Sequence, residues 1–142
     1  MSGLHLGQVM DEVASVLAQI PGLRVFAFPP PTLTPPAGYV SYPASVDYLE
    51  TYQRGVAGFT ELPITLLAGK PTEISSRNTI AEWVAADGPV SVVALMDTHE
   101  WVSCDGVTIS DTVEFDIEKI GGVEYLAVVF RASVTGPGKD AV

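Results

Sequence analysis

Leu6, Val9, Met10, Val13, Val16, Leu17 and Ile20 recur at steps of three and four residues, which puts them on one face of a helix. The spacing predicts helix over about 4–19, stopped by Pro21-Gly22, because proline cannot continue the hydrogen-bond ladder and glycine tolerates the exit. Leu23 to Phe28 then reads as a short buried strand. Five prolines fill eight positions over 29–36, so that stretch has few backbone donors and reads as a stiff, extended surface connector. Tyr39 to Tyr42 is a second strand before Pro43. Residues 44–59 have no clean period and read as a long loop or arm. Thr60 to Ala68 carries Leu62, Ile64 and Leu66 on one face and Pro63 on the other, a pattern that suits a strand near a sheet edge.

A second helix is predicted over about 73–86, with Thr72 or Ser75 as cap, an apolar face of Ile80, Trp83 and Val84, and Gly88-Pro89 as its stop. Val90 to Met96 fits a short helix better than a strand. The last third alternates cleanly. Val113, Phe115 and Ile117 interleave with Glu114, Asp116 and Glu118, Gly121-Gly122 supplies a two-residue turn, and Val123 to Val134 returns as a strand. With Ile120 and Val123 flanking the turn, Ile117 falls opposite Leu126, Phe115 opposite Val128 and Val113 opposite Phe130, a face expected to be core. On the other face Glu118, Asp116 and Glu114 oppose Tyr125, Ala127 and Val129, with Arg131 diagonal to Glu114. That mixture of acids and apolar partners suggests cover by a helix or another subunit. The expected architecture is a single α+β domain over 1–142, with a mixed or antiparallel sheet, a long C-terminal hairpin, two or three helices on one side, and a flexible tail at 136–142.

Composition supports a folded chain: of 142 residues, 47% are hydrophobic and 17% charged, enough to bury a core without staples. The single cysteine, Cys104, cannot form a disulfide within the chain and fits a reducing compartment. The N-terminal stretch lacks a basic region and carries Asp11 and Glu12 where an export signal would be apolar, and no run is long enough to span a membrane.

A net charge of -10 opposes binding to nucleic acid or to an anionic membrane. The charge is unevenly placed. Residues 1–71 hold three basic and five acidic side chains, whereas 72–142 hold four and twelve, and seven acids lie between Asp97 and Glu118 without a base.

Little in the chain points to catalysis. Only His5 and His99 could serve as an imidazole base, and no GxSxG elbow or phosphate-binding loop is present. Asp97, His99, Glu100, Cys104 and Asp105 are all metal-ligand types, but their spacing matches no strong metal motif and is better read as solvated charges in a loop. Glu114, Asp116 and Glu118 lie side by side on one strand face, unlike a glycosidase pair flanking a cleft. The reading is therefore of a non-enzyme with no cofactor and no metal. Tyr39, Tyr42, Tyr48 and Tyr52 crowd into fourteen residues of largely irregular chain. They either form an interface, where tyrosine is enriched, or fold down onto the sheet.

Several stretches, taken in order, resemble the tail terminator proteins of long-tailed, non-contractile phages of actinobacteria. They are the N-terminal helix leading to Leu23-Arg24-Val25, the proline-rich passage into Tyr39-Val40-Ser41-Tyr42-Pro43, Thr51-Tyr52-Gln53-Arg54-Gly55, Leu62-Pro63-Ile64-Thr65-Leu66-Leu67-Ala68-Gly69, and Gly121-Gly122-Val123-Glu124-Tyr125-Leu126-Ala127. The resemblance spans nearly the whole chain and rests on the order of the pieces. It implies a subunit that closes into a homo-oligomeric ring, usually a hexamer, on the head-proximal end of the tail tube. Such a ring ends tube polymerisation and offers a joint to the head. The implied partners are other copies of the chain, the major tail tube protein, a head-neck connector or stopper protein, and passing DNA that is not specifically bound. The implied location is the neck of the virion, after assembly in the host cytoplasm. Interface candidates are Tyr39, Tyr42, Tyr48, Tyr52 and Arg54, with Glu114, Asp116 and Glu118 as an acidic sheet face suited to a DNA channel. The alternatives are another neck component, such as a head-completion or stopper protein, and a small cytoplasmic metal- or ligand-binding domain.

Overall fold

A computed structural model describes residues 6–20, 23–28, 36–43, 45–47, 58–85, 88, 90–104, 106–110 and 113–135. Helix α1 runs Leu6–Leu17, and its periodic residues Val9, Met10, Val13, Ala14, Val16 and Leu17 are buried. The next turn tightens, with Gln19 N–H donating to Val16 and Ile20 N–H to Leu17. The chain then enters β1 (Arg24–Phe26), which pairs in parallel with β2 (Ala37–Val40). Strand β3 (Ser45–Asp47) pairs with the start of β4 (Gly58–Gly69). The expected 44–59 arm is thus anchored in the sheet at both ends, and residues 48–57 lie outside the described residues.

Strand β4 is central, not near an edge as its proline suggested. It pairs on one side with β2 and β3 and on the other with the long strand β7 (Val123–Thr135). Pro63 is tolerated because of where its missing donor points. Its carbonyl accepts Ser41 N–H at 2.9 Å just past the end of β2, and the residue sits beside an irregularity in the β4–β7 register. A proline there costs one bond at the end of a short strand rather than one in the main ladder.

Helices α2 (Ile74–Trp83) and α3 (Val92–Thr98) follow β4. Residue Glu73 occupies the α2 N-cap without a side-chain cap bond, so neither Thr72 nor Ser75 has the expected capping role. Helix α3 is capped by the buried Ser91, whose hydroxyl accepts Ala94 N–H at 3.2 Å and donates to the Ala85 carbonyl at 2.5 Å. One side chain therefore fixes the turn between the two helices.

Strands β5 (Gly106–Ile109) and β6 (Glu114–Ile120) both pair antiparallel with the same edge of β7, at opposite ends of it. The seven strands form one mixed sheet of order β1-β2-β4-β7-β5, with β3 on β4 and β6 on β7. All three helices pack on one face of it. There Val9, Val13 and Leu17 of α1, Ile80 and Trp83 of α2 and Val92 and Met96 of α3 meet Leu62, Ile64, Leu66, Val128, Phe130 and Val134. This is the α+β architecture that the hydrophobic pattern predicts.

The hairpin register is the expected one, with Ile120 opposite Val123, Ile117 opposite Leu126 and Phe115 opposite Val128. Gly121 and Gly122 take φ of 59° and 81°, as a type I′ turn requires. The expectation that this face is core holds for Val113, which is partly buried against the core just before β6, and is overturned at Phe115 and Ile117. Phe115 and Ile117 are 57% and 50% exposed, although Val128 and Phe130 are fully buried. The reason is the extent of the helical layer: α2 lies over β4 and β7 and α3 over β5, which leaves β6 projecting beside them.

Candidate functional site

Two places gather side chains with work to do. The first is the sheet face opposite the helices. In its middle Ala37, Leu67 and Ala127 are fully buried and Thr65 nearly so, although they stand apart from the helix-side core. Around them lie Tyr39 and the acidic residues of β6. Glu114 bonds Arg131 at 2.7 Å, as the expected diagonal required. The Asp116 carboxylate turns back to accept the N–H of Ile117 at 2.7 Å.

Tyr39 sits half-buried on this face. Burial raises its phenol above the ordinary value, a hydrogen bond from Thr65 pulls the other way, and the Glu118 carboxylate adds to the rise. By register Tyr39 stands in line with Thr65, Val129 and Glu114, and Glu118 lies four residues further along β6 on the same face. The sheet is curled, and the full burial of Ala37, Leu67 and Ala127 on the face away from the helices fits that face being the inner one.

Of the expected interface residues, Tyr39 folds down onto the sheet whereas Tyr42 stands 64% exposed beyond the end of β2. Tyr48, Tyr52 and Arg54 lie outside the described residues, as do His5 and Asp105. Tyr39 thus shares the sheet face of Glu114, Asp116 and Glu118, and Tyr42 lies beyond the end of β2.

The second place involves Glu12, which no pattern in the sequence had singled out. Its carboxylate accepts Ser103 N–H at 2.8 Å, Ser103 Oγ at 2.6 Å and Val102 N–H at 3.1 Å, and it meets His99 Nε2 at 2.7 Å. Against a carboxylate that nitrogen must carry the proton. Burial would raise the Glu12 carboxyl, but the hydrogen bonds from Ser103, His99 and Val102 outweigh it and hold the group below the ordinary carboxylate range. His99 also meets Trp101 edge-on, with ring centroids 4.6 Å apart, and the indole N–H of Trp101 donates to the Met96 carbonyl. The node ties α1 to the loop that follows α3. No local pattern marks Glu12, because its partners lie 87 to 91 residues further along the chain.

That node takes up one of the ligand-type residues of 97–105, which the sequence favours as solvated charges. His99 points to Glu12, Cys104 is buried, and Asp97 and Glu100 are exposed. Among the described residues no group of three or more histidine, cysteine or acidic side chains could hold a metal ion. A shallow depression of about 510 Å³ at the hairpin tip, lined by Lys70, Pro71, Thr72, Lys119, Gly122, Val123 and Glu124, is open to solvent. No described helix is long and apolar enough to cross a membrane.

No protein-family model and no curated protein sequence matches the chain. The geometry alone defines the class: an α+β domain whose helices cover one face of a curled sheet and leave an edge hairpin uncovered.

Proposed function

We propose that this chain is a tail-terminator subunit of a long-tailed phage, which assembles as a ring on the head-proximal end of the tail tube and ends its growth. The observation that carries the reading is β6, an edge strand whose Phe115 and Ile117, two residues apart on one face, are both half exposed. The order of sequence pieces that resembles the terminator family points the same way. A closed ring needs two different surfaces on each subunit, and a sheet with two unlike edges supplies them.

The inner side of the curled sheet carries Glu114, Asp116 and Glu118. A ring that continued the curl would have its helices outside and these carboxylates towards the passage, where like charge keeps DNA from adhering. The test is tube length. Tail tube protein from the same genome, polymerised with and without this chain, is imaged by electron microscopy. Shorter tubes with density on one end are expected, and tubes of unaltered length and bare ends overturn the reading.

A further inference from the structure

The registers of the strand pairs define rows that cross the sheet from edge to edge. On the inner face one row runs Arg24, Ala37, Leu67, Ala127, Asp116. The neighbouring row, on the helix face, runs Val25, Gly38, Leu66, Val128, Phe115. Each row thus ends in a complementary pair: a cation and an anion in the first, two apolar residues in the second. Among the described residues Arg24 makes no ion pair, and Asp116 bonds only the backbone of its own strand.

The strand directions agree with the rows. Strand β2 runs with β7, β4 and β6 run against them, and β1 is parallel to β2. A second copy in the same orientation therefore offers its β1 antiparallel to β6, the arrangement that pairs most readily.

We infer that β6 of one copy pairs with β1 of the next, so that the sheet continues from subunit to subunit. The occupant of the uncovered hairpin is then a second copy of this chain. With the rows in line, Arg24 of the incoming copy meets Asp116 on the inner face, and its Val25 covers Phe115 on the helix face. Phe28, 54% exposed and edge-on to Phe26, extends the apolar surface brought by the incoming strand. The contact is heterologous, uses both edges of the sheet, and closes if the sheet curvature closes. It rests on the ring reading above and names the surfaces that such a ring would use.

The test is a chain carrying Arg24→Cys and Asp116→Cys together, oxidised and run on a non-reducing gel. These positions lie at opposite edges of the sheet, so a bond within one subunit is not available. A ladder of multiples ending at the ring number is expected from the double variant, and no species beyond a dimer from either single variant. Monomer alone, or dimer alone, from the double variant overturns the inference. A second arm uses charge. Arg24→Asp is expected to reduce the assembled fraction at least tenfold by mass photometry, and adding Asp116→Arg to restore it; assembly indifferent to Arg24→Asp also overturns the inference. Tube capping by the unmodified chain separates the two proposals. If tubes are capped but no ladder forms, the ring uses other surfaces; if neither occurs, the terminator reading fails as well.

Discussion

Replacing Glu12 by alanine removes the acceptor on which four donors converge. Val102 is exposed, so water replaces its bond at little cost. Ser103 is half-buried, and its N–H and hydroxyl lose a charged acceptor, worth about 1 kcal/mol each or somewhat more. His99 loses its partner and adds a fraction of that. The expected destabilisation is about 2–3 kcal/mol. For a domain of this size, that lowers the melting temperature by roughly 6–12 °C. The pH dependence distinguishes the carboxylate from mere packing. Because the folded-state pKa is depressed, the stability supplied by Glu12 is fully present above the ordinary carboxyl pKa of about 4.3 and is lost as pH falls through the lower folded value. The gap between the native chain and Glu12→Gln should therefore be present at about pH 5 and narrow as the pH falls below about 4. Urea unfolding at a series of pH values measures it. An unchanged midpoint for Glu12→Ala, or a gap that persists undiminished at low pH, would refute the account.

Other consequences follow from single positions. Ser91→Ala removes both the α3 cap and the bond to Ala85 from a fully buried site, and should cost about 1–2 kcal/mol by urea unfolding. Gly38→Ala should cost about 1–3 kcal/mol by the same measurement, because a Cβ there meets the Leu66 side chain and lies 3.0 Å from the Thr65 carbonyl. Gly121→Asn, which tolerates a φ of 59°, should raise thermal stability by about 0.3–1 kcal/mol by reducing the freedom of the unfolded turn. Val128→Ala should cost about 2 kcal/mol whereas Phe115→Thr, directly opposite it, should stay within about 1 kcal/mol in the isolated subunit; equal costs on thermal melts would mean that β6 is covered after all.

The parts of the fold that were legible in the sequence are those in which one local rule decides. The 3.6-residue spacing of α1 needed no partner to be recognised, and the Gly121-Gly122 turn fixed the hairpin register to the residue. Pro63 misled because proline excludes a strand from a ladder only where its missing N–H would bond, and that depends on how short β2 is. Phe115 and Ile117 misled because alternation identifies the face a residue is on, whereas burial depends on how far the helices reach across the sheet. Glu12 was invisible for a third reason. Its donors lie 87 to 91 residues away in a loop without periodicity, so nothing local marks it.

An exposed edge strand with apolar side chains is ordinarily an invitation to aggregate. Here the invitation is conditional. The edge-facing N–H of Ile117 is occupied by the carboxylate of Asp116, which stands where the carbonyl of an added strand would bind. Glu114 and Glu118 extend the negative face along the strand, so neutral or acidic edges, including a second β6, are opposed by charge and by a satisfied donor. An edge that brings a guanidinium in register with Asp116 draws the carboxylate away and frees that N–H at the same moment. On the proposed pairing, the residue that protects the lone subunit is the one that selects its neighbour, and self-association stays directional because β6 accepts β1 and rejects its own kind.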